Sequence, residues 1–318
     1  MASQGLPRSH GLQAGPEPRV FRRLADGPAA RAELREVTGL GQHAIEVLMD
    51  GLEGLGFVRR RDGRYRMAGR MRKWLAGDRR AATCAVLDFA GDVAKRFATL
   101  PDTLRQGGPA DFHAVPISPD GWAKYLAFLQ AYGTGAEARV VRWTKAPASA
   151  RRMLDLAGGP ARYAVAFARA HPELRVEILD LPPAIEGAER AVAKAGLADR
   201  ISLRAGDLFE TDWGDGHDLI LVSHILHCLP EERCRDLLGR ARQAIAPGGK
   251  LIVQDVNFPA GPVGFGPGFT SLLYFAMMGT RSWPNTAITR WIEGAGFRVA
   301  RASETERGLL IDAEPAAS

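Results

Sequence analysis

Cysteine is scarce in this chain: three residues in 318, Cys84, Cys228 and Cys234, an odd number with no C-x-x-C spacing. That argues against a disulfide framework, gives no sign of a metal site, and fits a reducing, cytoplasmic setting. Long apolar runs are missing too; SLLYFAMMG at 271–279 is too short to span a bilayer. The opening residues, MASQGLPRSHGLQAG, lack the apolar h-region of a signal peptide, so 1–17 read as a flexible tail. The G-x-G-x-x-G spacing of a dinucleotide site is absent, which counts against a bound pyrophosphate.

The net charge of +6 and the pI near 9.5 fit a nucleic-acid partner at first sight. The excess is local, however. Segment 59–80, RRRDGRYRMAGRMRKWLAGDRR, holds ten Arg and Lys against two Asp, so the remainder of the chain is slightly acidic.

From Pro18 to Met67 the pattern is three helices and a hairpin. Ile45, Leu48, Met49, Leu52 and Leu55 recur at three- and four-residue steps as one inward stripe, closed by Gly54 and Gly56. Asp62-Gly63 sits between two short alternating runs, the dipeptide of a tight hairpin whose central residues need positive φ. This is a winged-helix pattern, assigned to 18–100. The helix that would enter a DNA groove offers Gln42, His43, Glu46, Asp50 and Glu53 but neither Lys nor Arg, so a dimerisation role is preferred to DNA reading. A helical connector is expected over 101–145, with a Pro/Gly loop at 100–122 and then one helix through WAKYLAFLQAYGTGAEARVVRW.

Beyond it, over 146–318, short apolar runs alternate with helical patterns. MLDLA, RVEIL, ISLRA, DLILVS and KLIVQDV read as strands with helices between them, which implies a doubly wound, Rossmann-like parallel sheet in an α/β fold. The last two runs have no helix between them and read as an antiparallel pair. In such a sheet ligands sit beyond the carboxyl ends of the strands. The first strand runs into Asp155, Gly158 and Gly159, where glycine permits close approach of a ligand. The second ends at Asp180, a partner for ribose hydroxyls or else a helix-capping Asp, and the third at Asp207 and Leu208, placed to meet a purine. These pieces suit a nucleoside without phosphate.

Taken in order after a winged helix, DLAGGPARYA, LDLPP, RAGDLFE, SHILHCLPEERC and APGGKLIVQDV resemble the class I S-adenosylmethionine-dependent O-methyltransferases, in particular the plant caffeate/flavonoid, acetylserotonin and bacterial natural-product enzymes. The resemblance spans nearly the whole chain. It implies S-adenosyl-L-methionine as cofactor, held by Asp155, Gly158, Gly159, Asp180, Leu181, Asp207, Leu208 and Ser223. It implies a homodimer joined through the N-terminal module, a small hydroxylated substrate, and His227 as general base. Two of the family's usual loop glycines are Ala157 and Ala161 here, the Asp and Trp that usually follow the base are Cys228 and Leu229, and a second family carboxylate falls near Ser282.

Asp255, at the end of the next strand, emerges at the same sheet edge as His227 and is expected to accept the imidazole's other N–H. His224 is read as a packing or substrate-contact residue. The insertion 257–284 supplies an apolar lining for an aromatic or polyketide-like acceptor, with Phe269, Tyr274, Met277, Met278 and Trp283 as candidate contacts. Two rival readings stay open: a fold relative with non-methylating chemistry, and a DNA-binding regulator.

Overall fold

The structure, a computed structural model, describes residues 19–69, 71–72, 79–108, 119–131, 135–306 and 308–317. The expected tail at 1–17 and parts of the basic segment and of the Pro/Gly loop lie outside the described residues. The chain divides into two compact units, one of Met1–Ala98 with Ala127–Tyr132 and one of Thr99–Leu126 with Gly133–Ser318.

The first unit carries helices α1 (Arg19–Ala25), α2 (Arg31–Thr38), α3 (Gln42–Gly54) and α4 (Arg79–Ala98), with strands β1 (Ala29–Ala30), β2 (Val58–Arg61) and β3 (Arg64–Met67). The α3 stripe packs as its spacing requires: Ile45, Met49 and Leu52 are buried against Phe21, Leu34 and Tyr65, with Leu48 and Leu55 at the margin. Asp62 and Gly63 take φ of 50° and 71°, the double left-handed turn that lets β2 and β3 pair without splaying. The wing arginines largely face acidic neighbours: Arg64 pairs with Glu33 at 2.6 Å, Arg60 with Glu53 and Arg61 with Asp62.

The second unit begins with α5 (Leu100–Gln106), the part of α6 (Pro119–Ala131) before Ala127, and α7 (Ala136–Thr144). Two sequence expectations need correction here. The Pro/Gly segment from 100 is in part a helix, because Pro101 occupies its first turn and Gly107, at φ 81°, its C-cap, the positions where those residues end a helix without breaking it. The single helix expected over 122–143 is two, since Gly135 takes φ 95° as the N-cap of α7.

The remaining chain alternates β4 (Arg152–Leu156), α8 (Arg162–Ala170), β5 (Arg175–Asp180), α9 (Pro182–Ala195), β6 (Ile201–Ala205), β7 (His217–Ser223), α10 (Glu231–Ala244) and β8 (Ile245–Asp255), then α11 (Phe265–Met278), α12 (Asn285–Gly294), β9 (Phe297–Thr305) and β10 (Gly308–Pro315). The sheet order is β6-β5-β4-β7-β8-β10-β9, parallel through β8 and antiparallel for the last two strands. Strand order reverses between β4 and β7, so the crevice at their carboxyl ends is the switch point.

Both sheet faces are buried, and residues two apart along a strand share a face. Leu154, Leu156, Ile220, Val222, Leu251 and Val253 pack with α10 and α12, whereas Met153, Ile178, Leu219, Leu221 and Ile252 pack with α8 and α9. Among the described residues no helix is long and apolar enough to cross a membrane. Phe167 of α8 is wholly buried on the second face. Phe167→Ala is expected to lower stability by about 3–5 kcal/mol in guanidinium unfolding.

Candidate active site

The loop after β4 is held by its own backbone and by one carboxylate. The Ala157 amide donates to Leu179 O at 2.8 Å and the Ala161 amide to Gly158 O at 3.0 Å. Asp180, at the end of β5, accepts from the amides of Gly159 and Leu181, each at 2.7 Å. A Cβ on Gly158 would lie 2.8 Å from Ile178 Cγ2 and 3.0 Å from the Asp155 carboxyl, so only glycine fits that position. Ala157 and Ala161 stand in left-handed conformations, φ 53° and 62°. Both alanines thus take a glycine-like backbone conformation, at a conformational cost of about 1 kcal/mol each.

Asp155 lies beneath this loop, fully buried, and neither carboxylate oxygen has a well-formed hydrogen bond; the Ala164 amide is the nearest donor. Burial, and then the charge of Asp180, push its pKa up to about 8, with partial relief from the Ala164 amide in the first turn of α8. An unpartnered carboxyl beneath a glycine-lined loop suits a donor-bearing or cationic ligand group. These features fit the aminoacyl-nucleoside cofactor. Asp180 and Leu181 stand at the neighbouring strand end. Asp207 is exposed at the end of β6, its Oδ1 accepting from the Phe209 amide, while Leu208 is buried and its carbonyl accepts from the Trp213 indole. Ser223 Oγ donates to Gln254 Oε1 at 3.4 Å. Tyr163 joins them: burial pushes its hydroxyl up, and hydrogen bonds with Ser223 and Gln254 oppose that rise.

Beyond Ser223 the chain must turn out of the sheet. His224 does this in a left-handed conformation, φ 56°, with its amide donating to Gln254 O at 2.8 Å. A single 3-10 turn, Leu226–Cys228, then brings His227 back over the end of β8. There His227 Nδ1 donates to Asp255 Oδ1 at 2.6 Å, and the His227 amide faces Oδ2 at 3.3 Å. Burial pulls the imidazole down, but the Cys228 thiol and the Asp255 carboxylate outweigh it and hold the ring well above its ordinary pKa. For Asp255, burial pushes upward, and the His227 ring with its hydrogen bond brings the carboxyl below its usual range.

The turn itself is clamped. The Trp283 indole donates to the carbonyls of Leu226 and Leu229 at 3.0 and 3.1 Å, and Thr280 Oγ1 donates to His227 O at 2.6 Å.

The candidate substrate contacts separate. Tyr274 of α11 stacks on the His227 ring, centroids 4.1 Å apart and planes at 13°. Met277 is buried, Met278 is half-buried, and Phe269 is 45% exposed and stacked on Phe265. Trp283 lines a cleft of 770 Å³ with Phe258, Leu272, Phe275 and Arg281, while its N–H is committed to the histidine turn. The His224 ring has open surface, but burial among its neighbours is the main cause that pulls its pKa down to about 4, with Asp255 opposing. At the place of the missing second carboxylate, Ser282 is buried with its hydroxyl unpartnered.

Tyr163, Gln254 and Thr280 escaped the sequence reading, because no local spacing marks residues that meet only across strands. Tyr125 of α6, which the sequence places in an apolar stripe with Trp122, Leu126 and Leu129 and marks as core more readily than as a substrate contact, also stands near the site. Burial pushes its hydroxyl beyond the ordinary tyrosine range, and Cys228 and Asp180 stand close enough to raise it further.

A doubly wound sheet with a phosphate-free nucleoside cradle at its switch point and a His–Asp pair beside it has the architecture of a small-molecule methyltransferase. Residues 105–298 match the family described as O-methyltransferase domain. The chain belongs to this family of S-adenosylmethionine-dependent O-methyltransferases. The 3-hydroxy-5-methyl-1-naphthoate 3-O-methyltransferase of Streptomyces sahachiroi is 27% identical over 320 residues, covering 93% of this chain and 88% of the relative. Among solved structures, the mitomycin 7-O-methyltransferase shares the fold with a TM-score of 0.86 at 23% identity, covering 98% of this chain and 95% of the other. Human N-acetylserotonin methyltransferase, solved with S-adenosylmethionine, shares it with a TM-score of 0.81 at 22% identity, covering 97% and 94%.

Two outcomes follow from the loop. Ala157→Gly is expected to raise the stability of the ligand-free protein by about 1 kcal/mol in thermal or urea unfolding, through release of the left-handed strain. Asp155 has a folded pKa near 8, above its ordinary 3.8, so its contribution is present in full at the acid end and is lost as pH rises through about 8. Urea unfolding across that window should show wild-type stability falling relative to Asp155→Asn.

Proposed function

We propose that the protein transfers a methyl group to a hydroxyl of a small aromatic or polyketide-like natural product, with His227 as general base. The observation that carries this reading is the buried 2.6 Å hydrogen bond from His227 Nδ1 to Asp255, formed at the same sheet edge as the Asp155–Gly159 loop. The cofactor supplies an electrophilic methyl on a sulfonium. The chain supplies alignment and proton removal.

Asp155, Gly158, Gly159, Asp180, Leu181, Asp207, Leu208 and Ser223 hold the cofactor. Gly158 lets it approach the backbone closely, and the Asp155 carboxyl, short of partners, takes a cationic or donor group. With Nδ1–H held by Asp255, the free-base ring presents Nε2 as its acceptor, and the carboxylate stabilises the imidazolium that forms. The same partnership raises the ring's proton affinity, so the free-base form grows as pH rises. From that form the ring takes the proton of a phenol, with a pKa near 10 as in tyrosine, more completely than an ordinary histidine does. Tyr274 fixes the plane of the imidazole by stacking, and Trp283 and Thr280 fix the turn that carries it. Water exclusion follows from the burial of both members of the pair.

An aromatic acceptor is supported by the apolar, Tyr- and Phe-bearing segment 257–284 and by the naphthoate acceptor named for the Streptomyces relative. His224, Phe269, Tyr274, Met277, Met278 and Trp283 remain the proposed contacts, with Tyr274 nearest the base. The working form is a cytoplasmic homodimer joined through the N-terminal module, where Val37 and Val47 present exposed apolar side chains.

The test pairs binding with turnover. Against a panel of hydroxylated aromatic acids, with S-adenosylhomocysteine formation as readout, His227→Ala should lose about 10²–10⁴-fold in rate. Calorimetry should show its affinity for S-adenosylmethionine unchanged. Full activity in that variant removes His227 from the chemistry.

A further inference from the structure

Of the clustered side chains His224, His227 and Asp255, the proposed chemistry of proton transfer uses two; His224 takes no part in it. Its backbone is held left-handed, its amide is anchored on Gln254, and its exposed ring lies 6.1 Å from that of His227. One donor atom each from His224, His227 and Asp255 lie within 4.8 Å of one another. The Cys228 thiol borders the group, with Sγ 3.8 Å from His224 O.

Two imidazoles and one carboxylate suit borderline divalent ions such as Zn²⁺, Co²⁺ and Ni²⁺, and suit Mg²⁺ or Ca²⁺ poorly, since those prefer oxygen throughout. We propose that His224, His227 and Asp255 bind one divalent transition-metal ion, Zn²⁺ in preference, and that its binding withdraws His227 from proton transfer. Ligands at about 2.0–2.2 Å from a common ion stand closer together than the present cluster, so the exposed His224 ring swings inward on binding. Three protein ligands leave a further position for water or for the neighbouring thiol. The binding half stands apart from the methyl-transfer reading, because the ligands gather whatever the substrate is, whereas the inhibitory half rests on that reading through His227 as base. In the sequence only part of the site shows: His224 and His227 stand three apart after β7, while Asp255 comes from the end of β8.

The experiment titrates the chain, prepared without a histidine tag, with Co²⁺, whose visible absorption reports its ligands, and then displaces the cobalt with Zn²⁺. One saturable site per chain is expected. His224→Gln should weaken it by at least about tenfold, on the scale of losses at metal sites, and Asp255→Asn should weaken it likewise. His43→Gln, on the exposed face of α3, should bind as the wild type does. Circular dichroism confirms that each variant is folded. Absence of saturable binding, or equal affinity in folded His224→Gln, overturns the site. An ion that binds there yet leaves methyl transfer at full rate overturns the inhibitory half.

Discussion

A carboxylate and an imidazole 2.6 Å apart, both removed from water, set the terms for the rest of this site. Neither would be tolerated there alone: an unpaired buried charge costs several kcal/mol, and each partner relieves the other. The pairing fixes where the chain may turn after β7. It requires the left-handed His224, the single 3-10 turn, and the indole and hydroxyl that hold that turn's carbonyls. Local backbone strain and a buried ion pair are thus two sides of one arrangement.

The parallel sheet makes that arrangement possible. Because β4, β5, β6, β7 and β8 all run the same way, their last residues converge on one edge: Asp155 near the end of β4, Asp180 at the end of β5, and Ser223 and Asp255 at the ends of β7 and β8. Asp155 differs from Asp255 in one respect. It has burial without a partner, and its pKa rises where that of Asp255 falls. The contrast separates a carboxyl that is committed within the protein from one left for a ligand.

Much of this was legible from residue order alone. Alternating apolar runs and helical stripes fixed the doubly wound sheet, since period-2 and period-3.6 patterns depend on near neighbours. Asp62-Gly63 marked the hairpin, and strand ends marked Asp180 and Asp255. The losses have a common physical cause. Ala157 and Ala161 give no sign in the sequence of their left-handed backbone, which the surrounding loop imposes. Trp283 reads as pocket lining and does line a cleft, but nothing local shows that its N–H also caps carbonyls more than fifty residues earlier in the chain. In α11 apolar residues occur on every side, so spacing could not separate the half-buried Tyr274 from the solvent-facing Phe269.

The central claim is geometric, and a crystal structure with S-adenosylhomocysteine and a hydroxylated aromatic acid tests it most directly. The account expects the nucleoside over Gly158 and Gly159, with the acceptor oxygen within about 2.6–3.2 Å of His227 Nε2. A ligand bound elsewhere, or an imidazole turned away from that oxygen, would contradict it.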